Sequence, residues 1–312
     1  MSRTAFLFPG QGSQAVGMGK SLAENFAPAR AVFDEVDAAL GQKLSTLMFE
    51  GPEDQLTLTA NAQPALMAVS LAVIRTLEAE KGLDLGKAAD FVAGHSLGEY
   101  SALTAAGSLT ISETAKLLRI RGDAMQAAVP VGRGAMCALI GAEWELAAEI
   151  AREAAQNEVC DVANDNGGGQ VVLSGHKGAI DRAIEIAKAK GVKRALPLPV
   201  SAPFHSSLMQ PAAEAMQTAL ATATILAPKV PVVANVLAAP VTDPEAIRRH
   251  LVEQVTGSVR WRESMLWLGA NGVTRFVECG SGKVLAGIVK RVVAGSEAVS
   301  LGTADDISAY SA

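Results

Sequence analysis

A serine flanked by glycines, Gly94-His95-Ser96-Leu97-Gly98, lies between a short apolar run, Phe91-Val92-Ala93, and a run that favours helix, Glu99 to Ala106. Strand, sharp turn and helix in that order are what a nucleophile elbow needs, and they point the chain towards an α/β framework. In such a turn the serine takes strained backbone angles that expose its hydroxyl, and the glycines avoid side chains that would collide with strand and helix. The start of the helix then offers N–H groups and a positive dipole end where an oxyanion would form. The plainer alternative is an ordinary serine in a tight turn; the flanking elements favour catalysis.

With 312 residues, 49% of them apolar, the chain can bury one large α/β core, or a large one carrying a smaller one. Only 19% are charged and the net charge is −5, so no basic excess is available to neutralise the phosphates of a nucleic acid. Cys137, Cys160 and Cys279 are widely spaced with no CxxC pair. Neither a disulfide framework nor a metal site is indicated, and a reducing cytoplasm fits. The apolar start, Ala5 to Phe8, meets Pro9-Gly10 too soon for a signal-peptide core, and no run approaches the length of a membrane span. A cytoplasmic protein with no membrane partner is expected.

Thr4 to Phe8 reads as a strand buried in a parallel sheet, ending in the loop Pro9-Gly10-Gln11-Gly12-Ser13-Gln14. A dinucleotide fingerprint would need glycine at position 15, which is alanine, so no nucleotide cofactor is implied. Helices are expected at Val16 to Phe26, at Pro28 to Leu40, and at Ala65 to Leu77 after an opening Asn61-Ala62-Gln63-Pro64. Thr110-Ile111-Ser112-Glu113 is a capping box for a helix to about Ala128. On it, Arg119 has Lys116 at i−3 and Asp123 at i+4, the pattern of a solvated face with a weak ion pair. Arg121 instead lies among Leu117, Leu118, Ala124 and Met125, where a guanidinium needs an anion. It is either a structural partner of some Asp or Glu, a snorkelling arginine whose head reaches water, or a fork for a substrate carboxylate.

After Pro130 the rhythm changes. Strands at Ala135–Ile140, Val159–Ala163, Gln170–Ser174 and Arg194–Leu198, with helices at Trp144–Ala155 and Ile180–Lys190, give βαββαβ, the ferredoxin-like unit. Residues 130–200 are therefore expected as a small inserted subdomain, with 1–129 and 201–312 forming the main body. Of the four histidines, His95 adjoins Ser96 and should point away from it, His176 sits in a polar turn, and His250 follows Arg248-Arg249. His205, in the proline-stiffened loop Ser201-Ala202-Pro203-Phe204-His205, is by elimination the base for Ser96. No carboxylate between Ser96 and His205 stands in an obviously buried loop, which leaves a backbone carbonyl open as the orienting group. A strand Val230 to Asn235, a helix from Pro244 and a last strand, Arg275 to Cys279, follow. The terminal Gly280-Ser281-Gly282-Lys283 is not a phosphate loop, because positions 277 and 284 are both valine.

Taken together, Phe8-Pro9-Gly10-Gln11-Gly12-Ser13-Gln14, Gln63-Pro64-Ala65, Gly94 to Tyr100, Arg121 to Gln126, Gly169-Gln170-Val171-Val172 and Ala202-Pro203-Phe204-His205 make the chain resemble, essentially end to end, the malonyl-CoA:acyl carrier protein transacylases of bacterial type II fatty acid synthesis. Cys279-Gly280-Ser281-Gly282 departs from the Gly-Pro-Gly loop of many relatives. The resemblance implies a hydrolase-like α/β body with a ferredoxin-like insertion and transfer of malonyl from CoA to the phosphopantetheine thiol of acyl carrier protein. It implies Ser96 as nucleophile, His205 as base, Gln254 as orienting group through its carbonyl, and the N–H groups of Gln11 and Leu97 as oxyanion hole. Arg121 would grip the malonyl carboxylate, with Gln63 and Asn166 as secondary contacts, and Phe204 ahead of His205 resembles enzymes that take malonyl rather than a branched extender. No cofactor or metal is implied, and a monomer is expected. Two basic groups, around Lys188, Lys190, Lys193 and Arg194 or around Lys283, Lys290 and Arg291, are candidates for docking an acidic carrier. A discrete polyketide-pathway acyltransferase shares all these motifs, and a serine thioesterase shares the elbow.

Overall fold

The computed structural model describes residues 3–200 and 202–311; Ser201, in the loop leading to His205, lies outside them. The strands are β1 (Arg3–Phe8), β2 (Phe91–Gly94), β3 (Gly134–Ile140), β4 (Cys160–Gly167), β5 (Gln170–His176), β6 (Arg194–Pro197), β7 (Val232–Ala234), β8 (Ala239–Val241), β9 (Val273–Cys279) and β10 (Glu297–Leu301). They form a six-stranded sheet, β10-β9-β1-β2-β7-β8, parallel except for β8, and a four-stranded antiparallel sheet, β4-β5-β3-β6. The α/β class read from the sequence is the class observed.

The central strand β1 explains its own composition. Successive side chains of a strand point to opposite faces, and here Phe6 and Phe8 enter one apolar cluster while Ala5 and Leu7 enter another. Both faces are covered, so an alternating polar pattern has no place. The larger cluster is built on the helix Thr59–Lys81, whose residues from Asn61 to Ile74 are all buried; the smaller one packs Trp261, Met265 and Leu285 on the opposite face. The register pairs Phe8 with Gly94, so the carboxyl ends of β1 and β2 lie side by side. That edge is where ligands bind in open parallel sheets.

Several boundaries differ from the sequence reading, each for a local reason. The first helix starts only at Lys20, because Gly17 and Gly19 adopt positive φ (94° and 79°) ahead of it. The helix expected from Ala65 begins at Thr59 and carries Pro64 within it, so Asn61 and Gln63 are helical and buried rather than lead-in residues. Strand β4 runs on through Asn164-Asp165-Asn166-Gly167, which the adjoining glycines suggest as a loop, because it goes on pairing with β5 (Asn164 with Val172, Asp165 with Val171, Gly167 with Gln170), and it is also stitched to the body. Asp165 N–H donates to Val259 O, Val259 N–H to Ala163 O, and the Asp165 carboxylate meets Arg262 at 2.8 Å. β10 adds a strand beyond Arg275–Cys279, paired in parallel with β9. Arg119 makes no pair with Asp123; its two terminal nitrogens donate to Asn61 and Gln42 at 3.0 and 2.7 Å.

Candidate active site

The elbow forms because glycine alone fits on both sides of Ser96. A Cβ on Gly94 would come within 1.8 Å of Gly98 O, and one on Gly98 within 2.2 Å of Phe8 O. Between them Ser96 is held at φ 54°, a left-handed conformation that an L side chain adopts only under constraint. The constraint comes from Asn235, at the carboxyl end of β7. Its Oδ1 accepts from Ser96 N–H at 2.7 Å and its Nδ2 donates to Gly94 O at 2.7 Å. His205 is held in the same unusual region, also at φ 54°.

His205 Nε2 lies 2.7 Å from Ser96 Oγ, and its Nδ1 lies 3.0 Å from Gln254 O and 3.1 Å from Gly257 O. Carbonyls only accept, so Nδ1 carries the proton and Nε2 presents its lone pair to the serine hydroxyl. Burial, reinforced by the nearby Arg121 charge and by His95, pushes the imidazole down to about 3 against the pull of the two carbonyls. The ring is therefore neutral and basic in form across the physiological range.

Arg121 is 1% exposed. Its Nη1 donates to Gln63 Oε1 at 2.8 Å, and its Nη2 to Gln254 Oε1 at 2.9 Å and Ser96 Oγ at 3.1 Å. Those acceptors are neutral, and Nε has no hydrogen-bond partner among the described residues. Of the options left by the sequence, an internal ion pair is not what the fork makes, and a side chain this buried does not snorkel; its charge stands beside the serine with donors unfilled. Burial lowers the guanidinium's affinity for its proton, an effect opposed by Tyr100, whose ring lies 5.8 Å away, and by Glu99. Glu99 is itself buried, and desolvation lifts its carboxyl to about 7.

The remaining residues fall around this centre. Gln63 backs Arg121, and Phe204 is buried in the main core next to His205. The loop carrying Gln11 runs against the elbow, since a Cβ on Gly10 would meet His95 O at 2.7 Å. Gln11 turns its side chain to Thr59, 3.1 Å away. The N–H groups of Gln11 and Leu97 have no acceptor among the described residues. Asn166 lies not at Ser96 or Arg121 but on His95, Oδ1 to Nε2 at 2.9 Å, with the His95 ring tilted against Trp261; His95 points away from the serine as expected. Asn235 and Glu99 escaped the sequence reading. The only signal was a polar residue closing the apolar run Val230 to Ala234, and a carboxylate immediately after the elbow.

A family model described as acyl transferase domain matches residues 5–307. The chain belongs to the acyl transferase family. Among curated acyl transferases, the malonyl CoA-acyl carrier protein transacylase of Bacillus subtilis is 48% identical over 94% of this chain and 91% of that protein. The Escherichia coli protein of the same name is 46% identical over 94% of each. The solved acyl-carrier-protein-S-malonyltransferase from Bartonella henselae superposes with a TM-score of 0.96 at 59% identity, covering 98% of both chains. A malonyl-transacylase solved in complex with a type II polyketide acyl carrier protein gives 0.94 at 42% identity over 98% of both.

Proposed function

We infer that this acyl transferase moves a malonyl group from malonyl-CoA to the phosphopantetheine thiol of acyl carrier protein through a malonyl ester on Ser96. The observation that carries the reading is the buried Arg121 fork, with no carboxylate of its own, 3.1 Å from a serine that is itself 2.7 Å from a neutral histidine. A nucleophile with its base suits any acyl group; a desolvated cation beside it suits an acyl group ending in a carboxylate.

In the first half-reaction Ser96 Oγ attacks the thioester carbonyl while His205 Nε2 takes the hydroxyl proton. The Nδ1–H, held by the carbonyls of Gln254 and Gly257, keeps the imidazolium oriented. The N–H groups of Gln11 and Leu97 receive the oxyanion. The C–S bond breaks, the thiolate takes the proton from His205, and CoA leaves. In the second half the carrier's thiol gives its proton to His205 and attacks the malonyl ester, and Ser96 leaves with that proton. Arg121 holds the malonyl carboxylate throughout, with Gln63 and Gln254 bracing the fork, and Phe204 narrows the acyl site.

Carrier docking is assigned to Lys283, Lys290 and Arg291 rather than to the other basic group. Lys188 is paired with Glu185, and Lys190 with Glu149 and Glu153, which cancels much of that charge. The second group is exposed around Val284, 52% exposed, and the Arg291 side chain lies against Gly168, close to the Asn166 that touches His95. Residues 130–200 are proposed to act as an inserted unit flanking the acyl site. A monomer is proposed because every group invoked comes from one chain, and the three cysteines, buried and unpaired, suit the cytoplasm.

The test is intact mass after brief mixing with malonyl-CoA, beside acetyl-CoA and Ser96→Ala. A malonyl adduct that needs Ser96, survives in buffer and disappears on addition of loaded-ready carrier is expected. Release of free CoA with no lasting adduct would mean a thioesterase. The polyketide-carrier complex of one structural neighbour keeps a second reading in view, a transferase serving a polyketide carrier, and competition between the two carrier types for malonyl-Ser96 decides between them.

A further inference from the structure

Behind the serine lies a buried carboxyl for which acyl transfer has no direct use. Glu99 is 3% exposed and lies in the first turn of the helix that follows the elbow. Among the described residues one oxygen makes its hydrogen bonds: Oε2 accepts from Asn235 N–H at 2.9 Å and from Gln254 Nε2 at 2.8 Å. Gln254 Nε2 also donates to Ser96 O at 3.1 Å, and its Oε1 accepts from Arg121 Nη2 at 2.9 Å. Each neighbour has a single role. A backbone N–H and a guanidinium only donate and a backbone carbonyl only accepts, so the Gln254 amide has one permitted sense and Oε2 is an acceptor wherever the carboxyl proton resides.

We propose that Glu99 is a specificity-positioning residue: it anchors the Gln254 side-chain amide and through it aims the Arg121 guanidinium at the acyl group carried on Ser96. The inference rests on the reading of Arg121 as the carboxylate-binding group. A long arginine side chain has many rotamers, and two amide oxygens hold this one. The Gln63 amide is backed by Met125 Sδ at 3.7 Å, a weak acceptor. The Gln254 amide is backed by Glu99 and is therefore the firmer of the two. Without Glu99, Gln254 Nε2 keeps only the longer bond to Ser96 O, the amide is free to turn, and Nη2 loses the oxygen that faces it towards the serine. Stability gives no alternative reason for the carboxyl, because burying it is unfavourable and its hydrogen-bond donors are amides, not cations.

The conservative variant separates bonding from charge. Since only Oε2 is engaged, Glu99→Gln places an amide oxygen there and keeps both bonds. The experiment measures the rates of malonyl-Ser96 and acetyl-Ser96 formation by quenched intact mass for the unmodified protein, Glu99→Gln, Glu99→Ala and Arg121→Ala. Glu99→Ala is expected to lower the malonyl-to-acetyl ratio by about tenfold or more, as loss of a positioned contact does, while Glu99→Gln keeps it within about threefold. If Glu99→Ala does not fold, Glu99→Asn reads the same quantity, because it stays polar but withdraws the acceptor by one methylene. A purely structural role would lower both rates together and leave the ratio unmoved. A ratio retained within about threefold in the Ala or Asn variant, or lost as fully in Glu99→Gln, overturns the proposal. Arg121→Ala tells the two failures apart. If it too keeps the ratio, the reading of Arg121 is wrong; if it loses the ratio while Glu99→Ala keeps it, only the role of Glu99 falls.

Discussion

Replacing Arg121 by alanine tests the centre of the functional reading. A fully desolvated charge pair within hydrogen-bonding distance costs about 2 to 5 kcal/mol when one partner is truncated. The lower part of that range applies here, because three of the five N–H donors already serve Gln63, Gln254 and Ser96, so a substrate carboxylate gains outright only Nε–H and the second Nη1–H and must share the rest. At about 2 to 3 kcal/mol, malonyl transfer should lose roughly 30- to 150-fold in kcat/KM. Acetyl-CoA has no carboxylate to lose, so the malonyl-to-acetyl ratio should fall by nearly the same factor. The variant leaves Gln63 Oε1 and Gln254 Oε1 without their donor, which costs stability, but it also removes a buried charge, which offsets that cost. The assay is transfer of radiolabelled malonyl and acetyl groups to carrier protein, with thermal melting as the folding control. Equal losses for both donors would show that Arg121 merely shapes the serine's surroundings, and the selectivity argument would be wrong.

Other consequences can be checked separately. With His205 held down to about 3, labelling of Ser96 by a neutral ester should show no loss of the base between pH 8 and pH 5; a fall centred between 6 and 7 would mean an ordinary solvated histidine. Glu99, raised to about 7, keeps in the folded state a proton that the unfolded chain releases from about 4.5 upwards, so its contribution to stability declines as pH rises through that window. Glu99→Gln should therefore gain about 3 kcal/mol relative to the parent between pH 4.5 and pH 8, and a difference that does not change with pH refutes this; the opposite contribution of His205 is common to both proteins. Asn235→Ala leaves Ser96 N–H and Gly94 O unpaired in a buried site, at a cost of about 2 to 4 kcal/mol in urea unfolding, with kcat falling more than KM rises. Reversing charge at Lys283 and Arg291 should raise KM for carrier protein and flatten its salt dependence while leaving self-loading from malonyl-CoA unchanged; an unaltered KM would move the docking surface elsewhere.

What the sequence determined by itself was everything that depends on neighbours along the chain. Gly94-His95-Ser96-Leu97-Gly98 specifies its elbow because the collision that excludes a side chain at Gly94 is with Gly98 and Glu99, a few positions along the chain. The unbroken apolar run of β1 announces a strand covered on both faces, and His205 could be singled out because only four histidines competed. Arg121 was conspicuous as a charge on an apolar helix face, yet its neighbours in sequence could not say whether a protein carboxylate would meet it.

Tertiary structure alone decided that question, because its partners, Gln63 and Gln254, come from 58 and 133 residues away. The same holds for Asn235, 139 residues from the serine whose backbone it clamps, and for the second carbonyl on His205, from Gly257. It holds too for the way β4 is tied to the main body, where Asp165 meets Val259 and, 97 residues away, Arg262. Local sequence fixes which groups are present and the turn that displays them. Which polar groups are satisfied, and which one is left with a donor to offer a substrate, depends on contacts made only when distant segments pack.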